Sequence, residues 1–118
     1  MSAETAAILD EAADVIERNG WIQGDYINQR QIDDGQGPGD CAACARGAIN
    51  MAAGGPPDND YLLGAQEASN AVEEWLVYSG SLGEALSLVE WNDADGRTAG
   101  DVIAALRGAA QAERERAS

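Results

Sequence analysis

Alanine limits what this chain can build: 23 of its 118 residues are Ala, gathered into segments broken by Gly and Pro. Within those segments the larger apolar residues return every three or four positions, the period of an amphipathic helix, and no stretch alternates apolar and polar residues with a period of two. The pattern predicts an all-α fold, a single compact domain of four or five short helices, with residues 1–118 forming one unit. A chain of this length has no room for a second core. Alanine also inflates the apolar fraction of 45%. Burying its methyl group removes little area from water, so modest stability is expected.

The first helix is expected from Ser2 to about Asn19, with Ile8, Leu9, Ala12, Val15 and Ile16 inward and Gly20 as its C-terminal cap. Residues 19–40 read as a long loop, because Gly24, Gly35, Gly37, Pro38 and Gly39 forbid a continuous helix, while Trp21, Ile22, Tyr26, Ile27 and Ile32 can pin it. Asp40 has the character of an N-cap for a second helix from Cys41 to Ala53, stopped by Gly54, Gly55, Pro56 and Pro57. A third helix is expected over Asp60 to Ser79, with Tyr61, Ala65, Ala68, Val72, Trp75 and Leu76 on one stripe. Ser81 and Glu84 have capping-box spacing for a short fourth helix that turns Leu82, Ala85, Leu86 and Val89 inward. Thr98 and Asp101 repeat that spacing ahead of a last helix, which ends in a frayed tail over 111–118.

Composition closes off much chemistry. All 7 basic residues are Arg, and the chain has no His. Without imidazole, Ser-His-Asp and Cys-His catalysis, HExxH metalloprotease sites and His-containing zinc sites are excluded. Without Lys, a Walker-type phosphate loop is excluded too. A net charge of −14 opposes contact with nucleic-acid phosphates and with anionic membrane surfaces. No apolar run reaches the roughly 20 residues of a spanning helix, and no basic segment precedes an apolar one at the start. The expectation is a cytoplasmic protein with no cofactor, no direct nucleic-acid contact and no membrane contact. Such a charge can steer the protein toward basic partners or imitate a nucleic-acid surface, and it is also what a solvated acidic face looks like.

Cys41 and Cys44 form a CxxC at the start of the predicted second helix, where free N–H groups stabilise a thiolate, so they are candidate redox residues. No strand precedes them, and zinc would need two further ligands from carboxylates or a second protomer. Packing of two small thiols is the plainer reading. Asp93, Asp95 and Gly96 imitate the middle of an EF-hand loop, but Trp91 and Val102 would occupy its first and last ligand positions, so a turn is expected and not calcium. Trp75 sits on a helix stripe, whereas Trp21 and Trp91 each occupy a helix exit, where an indole either locks a loop or belongs to a binding surface. With Asn92 and Asp93, suited to caps and turns, and Arg97, suited to pairing with a carboxylate, they make the candidate polar or interaction site. No residue is assigned a catalytic or metal-binding role.

The succession Asn19-Gly20-Trp21, Gly24, Cys44-Ala45-Arg46-Gly47-Ala48, Trp91-Asn92-Asp93 and Gly96-Arg97-Thr98 resembles a family of small uncharacterised proteins from actinobacteria and their phages, over roughly Ile8 to Ala110. Asp25 to Gly39 looks variable against that pattern. Only the Cys at Cys44 is usual in it, and the departure at Cys41 weakens every CxxC reading. The resemblance implies an actinobacterial or actinophage setting, with the host cytoplasm as the site of action for a phage product, and it carries no activity.

The leading functional expectation is a non-enzymatic module that binds another protein. A mimic of nucleic acid that blocks a DNA- or RNA-binding protein is one alternative. A small ligand-binding domain or enzyme with a polar site near Trp91 is the other, and it would need an Asp or Glu of raised pKa as its acid or base. Homodimerisation is left open.

Overall fold

Leu9, Ala12, Ala13 and Ile16 share one face of a helix, and the computed structural model, which describes residues 2–117, buries them in α1 (Ser2–Asn19). Around α1 stand α2 (Gln29–Asp33), α3 (Ala45–Ala52), α4 (Leu63–Tyr78), α5 (Leu88–Asn92) and α6 (Ala99–Ala117), with a 3₁₀ turn at Pro38–Asp40. The described residues form no strand, so the fold is all-α. α1 packs most extensively along α6 and also meets α3 and α4, while α5 rests on α3 and α4. None of the described helices is long and apolar enough to cross a membrane.

Small side chains let these helices approach closely. Ala6, Ala12, Ala13, Ala48, Ala65, Ala68, Ala105, Ala109 and Ala110 are buried, and Leu9, Ile49, Val72, Leu76, Leu88 and Leu106 fill the space between them. Trp75 uses the lack of a side chain at Gly108: a Cβ there would stand 2.6 Å from the indole Nε1. The carboxylates on the outer side of α1 are gathered by α6. Arg107 donates from Nη1 to Asp10 Oδ1 (3.2 Å) and from Nη2 to Asp14 Oδ1 (2.6 Å) and Glu17 Oε1 (2.5 Å), and Arg114 pairs with Asp10.

Several helix limits differ from the sequence expectation, each for a hydrogen-bonding reason. The second expected helix begins at Ala45 and not at Cys41, because the backbone before it is already committed: Ala42 N donates to Gln31 Oε1, Ala43 N to Gly20 O and Cys44 N to Tyr26 O. Ala43 thereby forms isolated bridges with both Trp21 and Ile27, and the expected 19–40 loop is folded around this extended segment, with α2 and the 3₁₀ turn inside it. Asp60 is outside α4 because its carbonyl accepts Arg46 Nη2 and its carboxylate accepts Tyr26 and Asn50.

The largest departure is at residues 81–87. The helix expected from the Ser81 and Glu84 spacing does not form, since Ser81 N and Leu82 N both return to Leu76 O to finish α4. The working cap is Ser87, whose Oγ accepts Glu90 N (3.2 Å) at the same spacing. Leu86, expected inside, is 86% exposed. The Thr98 and Asp101 box forms reciprocally, Asp101 N to Thr98 Oγ1 and Thr98 N to Asp101 Oδ2, both 3.1 Å. α6 then runs on to Ala117 through residues expected to fray, held by Arg114 on Asp10 and by Arg116 on Glu74 and Glu113. Ser118 lies outside the described residues.

Candidate functional site

The backbone after α5 turns at Asp93, and this places Asn92 in full burial beneath the segment that follows α1. Its Oδ1 accepts Trp21 Nε1 (2.7 Å) and Ala45 N (2.9 Å), and its Nδ2 donates to Ile22 O (3.2 Å) and Asp93 Oδ1 (3.0 Å). That exhausts the side-chain amide's capacity of two acceptor and two donor positions. Asp93 Oδ1 accepts Gly24 N as well (3.0 Å), and Gln23 Nε2 bridges Asn92 O and Ala94 O. Asn92 thus ties three distant pieces of chain, residues 21–24, the start of α3 and the end of α5, into one clasp. Its low-dielectric setting makes each of these bonds costly to leave unmade.

Cys44 stands beside the clasp as the N-cap of α3, its Sγ accepting Gly47 N (3.3 Å). Burial pushes its thiol up to about 11. Cys41 is buried in the preceding segment, donates to Gly37 O (3.3 Å), and is likewise raised by burial. Both thiols are free and neutral at ordinary pH, the opposite of the exposed, low-pKa environment that makes a cysteine reactive. Gly47 explains its own place after Cys44, because a Cβ there would overlap the Tyr26 carbonyl. Among the described residues no group of three or more Cys, Asp or Glu is placed to hold a metal ion.

A second polar knot fixes the residue 26 turn to the end of α3. Tyr26 donates to Asp60 Oδ2 (2.6 Å), Asn50 Nδ2 donates to Asp60 Oδ1 (2.9 Å), and Arg46 Nε lies 3.1 Å from Asn50 Oδ1 and 3.6 Å from Asp60 Oδ1. The bond to Asp60, with burial, pushes the Tyr26 phenol up to about 12. Burial opposes ionisation of Asp60, but the bonds from Tyr26 and Asn50 and the Arg46 charge outweigh it and hold the carboxyl below its usual range. Sequence reasoning did not single out Tyr26, Arg46, Asn50 or Asp60 as a group. The one signal was a polar residue, Asn50, within the apolar run of α3.

Three of the hollows on the described surface matter here. One of about 160 Å³ lies beside the clasp and brings Asp93, Cys44, Gly24 and Tyr26 together. Another, about 340 Å³, lies on the far side of Trp91, between Trp75, Trp91, Arg97 and the first turns of α6. Trp91 is buried with its Nε1 on Ser81 O (3.0 Å), and Arg97 covers its ring, the guanidinium carbon 4.1 Å from the centroid. The candidate site is therefore split: Trp21, Asn92 and Asp93 meet in the clasp, while Trp91 and Arg97 face a separate cleft. The third hollow is a groove of about 690 Å³ between the end of α4 and residues 82–87, lined by Val77, Tyr78, Leu82 and Leu86 with Glu73 and Glu74 alongside. No sequence expectation pointed to it, because Leu86 was placed in the core.

A small all-α protein held together by buried polar clasps, with an apolar groove open on its surface, is the class these features define. The sequence model of a family of unknown function, DUF6197, matches residues 1–112, and the chain belongs to that family. No curated protein and no solved structure matches the chain.

Proposed function

We propose that this is a non-enzymatic protein-binding module, and that its docking surface is the groove at the end of α4. The observation that carries this reading is the exposure of Val77 (64%), Tyr78 (84%) and Leu86 (86%) side by side. Contiguous apolar surface of this kind is costly to leave in water and marks contact sites. The occupant that fits is a cationic amphipathic helix of another protein. Glu73 and Glu74 line the groove, Glu84 and Glu90 flank Leu86, and no Arg lines it. A second copy of a chain with net charge −14 would be repelled there, whereas Lys or Arg around an apolar stripe would be attracted.

The state of the polar candidates supports the same reading, since Asn92 is saturated by structural bonds and both thiols are raised. In the actinophage setting that the resemblance allows, the partner is a host protein carrying such a helix, and in the actinobacterial one it is another protein of the same cell. The test is a titration of the isotope-labelled protein with a short peptide of Leu and Arg, its Leu at helical spacing, followed by backbone amide shifts. Shifts confined to the end of α4 and residues 82–87 are expected. Shifts spread along the acidic face of α1, or equal shifts with a scrambled peptide, would contradict the proposal.

A further inference from the structure

We propose that the cleft between Trp75, Trp91 and Arg97 is a binding site for a small planar monocarboxylate, received by the open edge of the Arg97 guanidinium. This site shares no lining residue with the groove at the end of α4 and stands independently of it.

Arg97 is held as a preset fork. Its Nε donates to Trp91 O (2.8 Å), and the guanidinium carbon lies 4.1 Å from the centroid of the Trp91 ring. These two contacts anchor the group and leave Nη1 and Nη2 without a partner among the described residues. The other half-buried guanidiniums are treated differently: Arg46 reaches Asp60, and Arg107 gathers Asp10, Asp14 and Glu17. Arg18, Arg114 and Arg116 are also paired with acids, and Arg30, the other arginine without an acid partner among the described residues, is exposed on α2 and not anchored in a cleft. In a chain with 21 acidic residues, an anchored Arg left without a carboxylate is a vacant bidentate donor. Carboxylate is the group whose geometry matches that fork.

The rest of the cleft defines the body of the ligand. Trp75, Leu76, Ala104 and Ala105 supply apolar walls, and Ser79 and Ser81 also line the cleft, their hydroxyls hydrogen-bonded to each other. A volume of about 340 Å³ falls at the lower end of the roughly 300–1,000 Å³ typical of small-molecule sites. With the Trp91 ring covered by Arg97, the Trp75 indole is the wall that favours a flat ring. Asp101 also lines the cleft, with Oδ2 engaged by Thr98 N, and its charge opposes a dianion. A single carboxylate on an aromatic body therefore suits the site better than phosphate does.

The test follows the three indole N–H resonances of the full-length, isotope-labelled protein during addition of benzoate, of neutral benzamide and of inorganic phosphate. Benzoate is expected to move the Trp75 and Trp91 signals, leave Trp21 in place and saturate at a concentration on the order of 1–10 mM. Benzamide should bind at least about tenfold more weakly, and phosphate should leave the signals unmoved. Arg97→Gln should abolish the shifts. Because Arg97 also holds Trp91 O, Ala104→Leu provides a second variant that fills the exposed wall, keeps the guanidinium, and should abolish binding with an unaltered Trp21 signal. Equal shifts with benzamide or phosphate, no shift with benzoate, or undiminished binding by Ala104→Leu would each overturn the proposal.

Discussion

Asn92 ends α5 and Leu86 stands two residues before its start, and the fold treats them in opposite ways. Asn92, the polar residue, is fully buried and spends every side-chain donor and acceptor on two backbone groups, the Trp21 indole and the Asp93 carboxylate. Leu86, the apolar one, is almost entirely in water beside Val77 and Tyr78. In a chain whose interior is mostly alanine, directional bonds at Asn92 and at the Tyr26–Asp60 pair fix how distant segments meet, which methyl groups cannot do. Large apolar side chains are few, so leaving three of them together at one surface is a clue to where contact with another molecule occurs.

The largest effect should come from breaking the polar half of that comparison. Asn92→Ala strands Trp21 Nε1, Ala45 N and Ile22 O in a buried site, and urea unfolding should show a loss of about 3–5 kcal/mol. A loss below about 1 kcal/mol would mean that the clasp does not hold the fold. Next in size is Arg107→Gln, which leaves Asp14 and Glu17 without their cation while Asp10 keeps Arg114. Since these groups are partly exposed, about 1–2 kcal/mol is expected, shrinking as salt is raised.

A smaller effect sharpens the comparison through pH. Tyr26→Phe removes the donor to Asp60 and should cost about 1 kcal/mol near neutrality. The phenol's pKa is raised from 10.0 to about 12 in the fold, so its contribution is intact below pH 10 and is lost as pH rises through 12. The gap between wild type and Tyr26→Phe in thermal melts should therefore close over that interval. Cys44, raised from 9.0 to about 11, ionises over the same interval in both proteins, and in wild type its charge adds to the rise of the Tyr26 pKa. At the acid end the Asp60 carboxyl, held below its ordinary 3.8, contributes above that value and loses its contribution as pH falls through the lower folded one.

How far the sequence carried these conclusions depended on the range of the interactions. α1, with its apolar face and the Gly20 exit, and the Thr98–Asp101 box opening α6 were legible because their signals lie within one or two turns. Residues 41–44 were misread as helix because what holds them extended, Gly20 O, Tyr26 O and Gln31 Oε1, is distant in sequence. At residues 81–90 two serine–glutamate spacings compete, Ser81 with Glu84 and Ser87 with Glu90, and the return of Ser81 N to Leu76 O decides for the second. That choice exposed Leu86 and created the groove. Trp21, Asn92 and Asp93 stood out together with Trp91 and Arg97 as one candidate site, but the split of that group, and the bonds to Ala45, Ile22 and Gly24 across long stretches of chain, could not be read from spacing.

The most direct test of the account is the affinity of the Leu and Arg peptide for the double variant Val77→Ser with Leu86→Ser, measured by calorimetry beside wild type. Both side chains are exposed, so unfolding free energy should change by less than about 0.5 kcal/mol, while affinity should fall about tenfold or more. Tyr61→Ser with Leu63→Ser, altering the exposed apolar pair at the start of α4, should bind like wild type. Undiminished affinity in the groove variant, or an equal loss in the Tyr61 and Leu63 variant, would contradict the account.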